Sequence, residues 1–77
     1  MYHTPLSIRV EWDDDAKVWV AASDDVPGLA TEDFTMEKLI EKLKVLIPEL
    51  LRANGMHSEF GVAFEVLAHG QFSANPS

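Results

Sequence analysis

The spacing of apolar residues changes along this chain from two to about 3.6 residues and back to two. Apolar and polar residues alternate from Leu6 to Trp12, apolar residues recur at helical spacing after Thr35, and alternation returns after Gly61. Alternation is typical of a half-buried strand, and the longer period is typical of an amphipathic helix. These periods restrict the chain to a fold in which strands precede and follow one helix.

The first strand is predicted at residues 6–12, and an acidic turn formed by Asp13, Asp14 and Asp15 follows it. Short acidic side chains accept hydrogen bonds from their own backbone and tolerate unusual dihedral angles, so they favour turns. We therefore expect a hairpin that leads into a second strand at residues 17–23. In that second strand the pattern assigns three residues to the inward face: Val18, Val20 and Ala22. It assigns three to the opposite face: Lys17, Trp19 and Ala21.

A turn centred on Pro27 and Gly28 separates the second strand from a short third strand, predicted at residues 29–32. Proline presets the first central position of a type II turn, and glycine accepts the positive φ of the second. These two residues are therefore predicted as a structural turn.

A helix is predicted at residues 36–54. Thr35 can cap the free N–H groups of its first turn, and Phe34 can pack on Leu39 as a hydrophobic staple. Pro48 lies inside the helical pattern, where a missing N–H should bend or divide the helix.

The sequence Asn54-Gly55 favours a helix end. A fourth strand is predicted at residues 62–68, and the residues after 70 lack periodicity. We expect one domain over residues 1–70 and a flexible tail over 71–77.

The order β-β-β-α-β predicts an α+β fold. Three strands can form a meander, and a right-handed crossover through the helix would place the fourth strand parallel to the first. The expected product is a four-stranded mixed sheet of order 3-2-1-4 with one helix on one face. The opposite face has no helix of its own, so it is a candidate interface for a partner or for a second copy. Its candidate interface residues are Arg9, Trp19, Ala21, Glu65 and Leu67. The alternative is that Trp19 stays exposed there, partly shielded by Arg9 through a cation–π contact.

The chain has 77 residues and no cysteine. A core of this size is marginal, and without disulfides the usual further source of stability is an oligomer, so we expect a dimer or higher assembly. The absence of cysteine suits the cytoplasm. We find no apolar run of membrane-spanning length and no signal sequence, so neither a membrane location nor export is expected.

The net charge of −7 disfavours direct binding to nucleic acid and suits a basic protein partner. Five acidic residues in the connections between strands are candidates for electrostatic steering: Asp13, Asp14, Asp15, Asp24 and Asp25. The alternative is that the acidity serves solubility alone.

Catalysis, a metal site and a cofactor are not expected. The carboxylates nearest to a two-metal nuclease arrangement are Glu11, Glu37 and Glu65, and their predicted positions do not converge. The three histidines do not form a pair with metal-ligand spacing, and neither a phosphate-binding loop nor a nucleophile motif is present.

The stretch Val18-Trp19-Val20-Ala21, continued by Asp24-Asp25-Val26-Pro27-Gly28-Leu29 and a capped acidic helix, resembles HicB-like antitoxins. The resemblance covers residues 6–67 and implies the front half of the ribonuclease H architecture. It also implies a non-catalytic module that binds a small basic HicA-like toxin ribonuclease. Many HicB-like proteins carry a C-terminal DNA-binding domain, and the residues after Leu67 are too few for one. The alternative is a stand-alone homo-oligomeric structural or regulatory domain without a toxin partner.

Overall fold

A computed structural model describes residues 5–56 and 61–74. The strands are β1 (Leu6–Asp13), β2 (Val18–Ala22), β3 (Ala30–Asp33) and β4 (Phe64–His69), and the helix α1 (Met36–Ala53) lies between β3 and β4 in the chain. The sheet order is β3-β2-β1-β4. β1–β2 and β2–β3 are antiparallel, whereas β1–β4 is parallel. The α+β class, the strand order and the single helix are confirmed.

The core lies between α1 and one face of the sheet. The helix contributes Leu39, Leu43, Ile47 and Leu51, each at most 5% exposed. The sheet contributes Ile8 and Val10 of β1 and Ala21 of β2, all fully buried. No side chain in the described part of the chain is both buried and polar. The helix is therefore held mainly by burial of its apolar stripe, as expected for an amphipathic helix on a sheet.

The ends of α1 follow the sequence signals. The Thr35 hydroxyl accepts a hydrogen bond from the N–H of Lys38 at 3.1 Å. At the C-terminal end, the N–H of Met56 donates to the carbonyl of Leu51 and the N–H of Gly55 donates to the carbonyl of Arg52. These two bonds form a Schellman motif, in which Gly55 has a φ of 76°. Both predicted ends are confirmed.

One expectation about the helix is wrong, and a second is wrong in part. Phe34 stays 70% exposed, so it does not form a buried staple on Leu39. The helix also runs undivided through Pro48, so the predicted division is wrong, whereas the predicted bend stays a prediction. Pro48 lies on an exposed part of the helix, where water can bind the carbonyl that proline leaves without a helical partner.

The predicted facing of β2 is also wrong. Asp13 pairs with Val18 across the hairpin, which leaves a four-residue loop. This loop length places Trp19 opposite Trp12 and Ala21 opposite Val10. Directly opposite residues share a face of the sheet, so Trp19 and Ala21 lie on the helix side.

Val20 and Ala22, predicted to point inward, instead share the other face with Glu11 and Arg9. Val18, the third residue predicted to point inward, is 6% exposed. It lies outside the main core cluster.

Candidate interaction surfaces

Three consecutive acidic residues lie at the β1–β2 hairpin end, and they make different contacts. The Asp13 carboxylate accepts the backbone N–H groups of Asp15 and Ala16, at 3.0 and 3.1 Å. The N–H of Lys17 donates to the Asp13 carbonyl at 2.7 Å, and Lys17 has a φ of 59°. Asp13 is thus used to build the turn, as its sequence predicts.

Asp14 lies beside a cation and an indole. Its carboxylate accepts hydrogen bonds from Lys17 Nζ at 2.8 Å and from Trp12 Nε1 at 3.3 Å. The bond from Lys17, followed by that from Trp12, lowers the pKa of Asp14 below its ordinary value. Asp14 therefore stays ionised at neutral pH. The exposed Asp15 carboxylate has no partner in the described structure, so it is free to meet a cation.

Three aromatic rings meet next to this turn. The ring centroids of Trp12 and Trp19 are 5.1 Å apart, and the Phe72 ring lies 6.4 Å from Trp12 and 6.2 Å from Trp19. Tilted pairs at these distances are favourable beyond their buried area. We name Trp12, Trp19 and Phe72 the aromatic cluster.

The sequence analysis missed Phe72, because the residues after 70 show no periodicity. The structure gives residues 70–74 no regular secondary structure, yet Phe72 turns back onto the sheet. A Cβ at Gly70 would lie 2.7 Å from the Phe72 ring and 3.3 Å from the Trp12 Cβ. Gly70 is the sequence signal nearest to this approach, since a side chain there would displace the ring from its present position. The domain boundary at residue 70 stays a prediction.

Asp24 and Asp25 lie at the other end of the sheet. Asp24 forms an exposed ion pair with Arg9 at 2.9 Å. The Asp25 carboxylate accepts the backbone N–H of Ser7 at 2.8 Å. Since Ser7 and Asp13 are six residues apart on one strand, these two groups of acids are about 20 Å apart. The five predicted steering residues therefore do not form one site.

The face of the sheet away from the helix, which we call the open face, carries both polar and apolar side chains. It carries three predicted interface residues that are exposed: Arg9, Glu65 and Leu67. The other two are corrected by the structure, because Ala21 is fully buried under the helix and Trp19 packs against the core. The open face thus lacks the tryptophan on which the expected interface depended.

Pro27 and Gly28 form the predicted turn. The N–H of Leu29 donates to the Val26 carbonyl at 3.1 Å, and Gly28 has a φ of 84°, as in a type II turn. The Asn54 side-chain amide donates to the Pro27 carbonyl at 3.3 Å. This bond ties the turn to the end of the helix.

The carboxylates considered for metal-dependent chemistry are separated. Glu11 and Glu65 lie on the open face, whereas Glu37 lies in the first turn of α1, on the other side of the sheet. In the described residues, no three side chains of histidine or acidic type approach each other as metal ligands would. No described helix has the length and apolarity to span a membrane.

Fold and surfaces together define a small acidic α+β domain with one uncovered sheet face and an aromatic-acidic hairpin end. Residues 5–75 match the model of the family described as a domain of unknown function (DUF1902). The chain belongs to this family.

A similar solved structure is that of the hypothetical protein TTHA1013 from the extremely thermophilic bacterium Thermus thermophilus. The two chains are 44% identical with a TM-score of 0.71, and the match covers 94% of this chain and 99% of that one. No curated protein matches this chain.

Proposed function

We propose that this protein is a non-catalytic protein-binding module of the HicB-like antitoxin type. It acts in the cytoplasm without a cofactor and binds a small basic protein, with a HicA-like toxin ribonuclease as the expected partner. By covering the RNA-binding surface of that toxin, the module neutralises it.

The observation that carries this proposal is the aromatic cluster beside the acidic turn. Trp12 and Trp19 are half-buried, and Phe72 is 67% exposed. Aromatic residues are enriched in protein interfaces because they bury much area with little loss of conformational entropy. Asp14 and Asp15 at the rim would attract a basic partner and speed its encounter.

The charge of the whole chain supports the same class of partner. A net charge of −7 repels a phosphate backbone and attracts a basic protein over distances of about one Debye length. Because the two groups of acids lie at opposite ends of the sheet, this attraction does not by itself select one end. We therefore assign the contact itself to the hairpin end, where acids and exposed aromatic area coincide.

The test is coexpression with the small basic protein encoded next to this chain. Growth and complex formation on a sizing column are scored together. The expected result is a neighbour that is toxic alone and harmless in a complex. A neighbour that is harmless alone and forms no complex overturns the toxin-binding proposal.

Variants locate the surface. Phe72→Ser should weaken the complex by about tenfold or more, as expected for a central aromatic contact. Phe34→Ser is the matched control, because Phe34 is similarly exposed, at 70%, but lies before α1. Equal effects of the two changes would place the contact elsewhere.

A charge pair tests steering. Asp15→Asn should slow association and flatten its salt dependence, with a smaller change in the dissociation rate. Glu49→Asn on the exposed helix side is the control for net charge. Asp13 is unsuitable for this test, since its carboxylate holds the turn.

The alternative function is a homo-oligomeric structural or regulatory domain with no toxin partner. The observation that favours it is the position of β4 at the end of the sheet, where no other described strand pairs with its outer edge and a further strand can add. Self-association and toxin binding use different surfaces and are compatible.

A further inference from the structure

β4 is an edge strand with few of the features that normally protect an edge. It pairs with β1 on one side and ends the sheet on the other. Its six residues, FEVLAH, include neither proline nor lysine, which are common protections of natural edges. Leu67 on the open face is 54% exposed. An edge of this length and composition is a template for another strand.

The register shows which backbone groups are available at this edge. Just before β4, the carbonyl of Ala63 points toward β1, because it accepts the N–H of Leu6. The odd-numbered residues of β4 therefore also direct their backbone groups toward β1. Backbone groups alternate in direction along a strand. The N–H and C=O groups of Phe64, Val66 and Ala68 therefore point away from the sheet.

We infer that this edge binds a second copy of itself, with the two β4 strands antiparallel. A two-fold axis that relates adjacent antiparallel strands must be perpendicular to the sheet. Both helices then lie on the same side, and each residue faces one that shares its face. The product is a continuous eight-stranded sheet of order 3-2-1-4-4-1-2-3.

Charge selects the register. With the axis at Leu67, Glu65 of each copy faces His69 of the other, Val66 faces Ala68, and the two Leu67 side chains meet at the axis. With the axis at Glu65, two carboxylates would be opposed, which is unfavourable across strands. With the axis at Val66, Glu65 would face Leu67. The Leu67 register gives Glu65 a hydrogen-bond donor and removes exposed apolar area from water.

The backbone agrees with this register. Val66 and Ala68 both present outward N–H and C=O groups and would exchange hydrogen bonds as a pair. Leu67 faces its copy as a non-hydrogen-bonded pair, in which Cα atoms are about 4.5 Å apart and side chains pack closely. The inference depends only on β4, so it holds or fails independently of the toxin-binding proposal.

Sedimentation equilibrium of the full chain tests whether the dimer exists. The expected result is a dimer at micromolar concentration. Leu67→Glu would oppose two carboxylates at the axis and should raise the dissociation constant about a hundredfold. Val45→Glu is the matched control, because Val45 is an exposed apolar residue on α1 (63%), and it should leave the constant unchanged within about twofold.

Cysteine cross-linking tests the register. The chain has no cysteine, so a single introduced one reports a single contact. Leu67→Cys should form a disulfide-linked dimer on mild oxidation, since the expected Cα separation is within the usual range of about 4.4–6.8 Å. Glu65→Cys and Val45→Cys should cross-link far more slowly.

The outcomes are distinct. A monomer at high micromolar concentration overturns the inference, and so does a dimer that survives Leu67→Glu with native circular dichroism. Faster cross-linking through Glu65→Cys than through Leu67→Cys rejects the register. If Leu67→Glu does not fold, the Leu67→Cys variant alone decides whether the dimer exists. Cysteine is smaller than leucine and should be tolerated at this exposed position.

Discussion

The two edges of the sheet differ in how they are held. At the β3 edge, Lys42 of the helix donates to the Glu32 carbonyl at 2.6 Å and pairs with Asp33 at 3.2 Å. The Gly28 turn leads into β3, and Thr35 begins the helix directly after it. At the β4 edge, the described residues of the strand, Phe64–His69, have no comparable side-chain hydrogen bond or ion pair.

The helix explains the difference. In the part of the chain that the structure describes, the helix backbone lies nearest to β3 and β2, and its side chains also bury Ile8 and Val10 of β1. Phe64 and Val66 on β4 pack against the same core but remain half-exposed, although Ile8, the register partner of Val66 on β1, is fully buried. The helix therefore covers the β3 half of the sheet, and β1 at its centre, better than the β4 edge, so the β4 edge is where a partner strand can still bury area.

The largest difference between the two halves should appear in core truncations. Leu43→Ala removes a fully buried side chain that α1 directs onto the sheet, and it should lower the free energy of unfolding by about 3 kcal/mol. Val66→Ala on β4 should cost about 1 kcal/mol, because Val66 is only half-buried in one copy. Urea unfolding at low protein concentration measures both. Equal losses would remove the distinction between the halves.

The second-largest effect on stability should come from the turn before β3. Gly28→Ala should destabilise the protein by about 1–2 kcal/mol, because a residue with a Cβ is strained at a φ of 84°. The cost is conformational, since the added Cβ would lie 3.8 Å from Leu50 Cδ2, an ordinary contact. Gly28→Asn should recover part of the loss, as asparagine tolerates this region better. If Gly28→Asn recovers no stability, the loss results from side-chain packing and not from backbone strain.

The helix cap after β3 should contribute less. Thr35→Ala removes the acceptor of the Lys38 N–H and should cost about 1 kcal/mol. Thr35→Ser keeps the hydroxyl and should cost a few tenths of that. Thermal unfolding by circular dichroism compares the three proteins, and identical midpoints would show that the cap does not hold this edge.

The smallest effect concerns the ion pair at the β3 edge. The backbone N–H of Phe34, and secondarily Lys42, lowers the pKa of Asp33 below its ordinary value of 3.8. This stabilisation is present in full above that value and is lost as the pH falls through the lowered folded-state pKa. Asp33→Asn should therefore be less stable than the wild type at neutral pH, and the gap should close as the pH falls through the lowered pKa of Asp33. A gap independent of pH contradicts this assignment.

Much of the fold could be predicted because local signals agree with each other. The acidic turn, the type II turn at Gly28, the cap at Thr35 and the end at Gly55 each depend on the chemistry of adjacent residues. The strand and helix bounds follow from apolar period and are confirmed to within two residues. The five candidate steering residues were predicted from charge, and the three-dimensional structure separates them into two groups about 20 Å apart.

By itself, the sequence determined the elements, their order and the sheet topology, since period, capping and chain connectivity are properties of neighbouring residues. Tertiary structure decided which face of β2 is buried, because Val20 and Ala22 on one face and Trp19 and Ala21 on the other are all apolar, so alternation does not distinguish the faces. The length of the hairpin loop, four residues, sets the register that distinguishes the two faces.

Tertiary structure also placed Phe72 on Trp12 and left Phe34 exposed. The contact of Phe72 joins residues that are distant in the chain, and the exposure of Phe34 depends on where the helix lies across the sheet. No local pattern contains that position, because it results from the packing of the whole core.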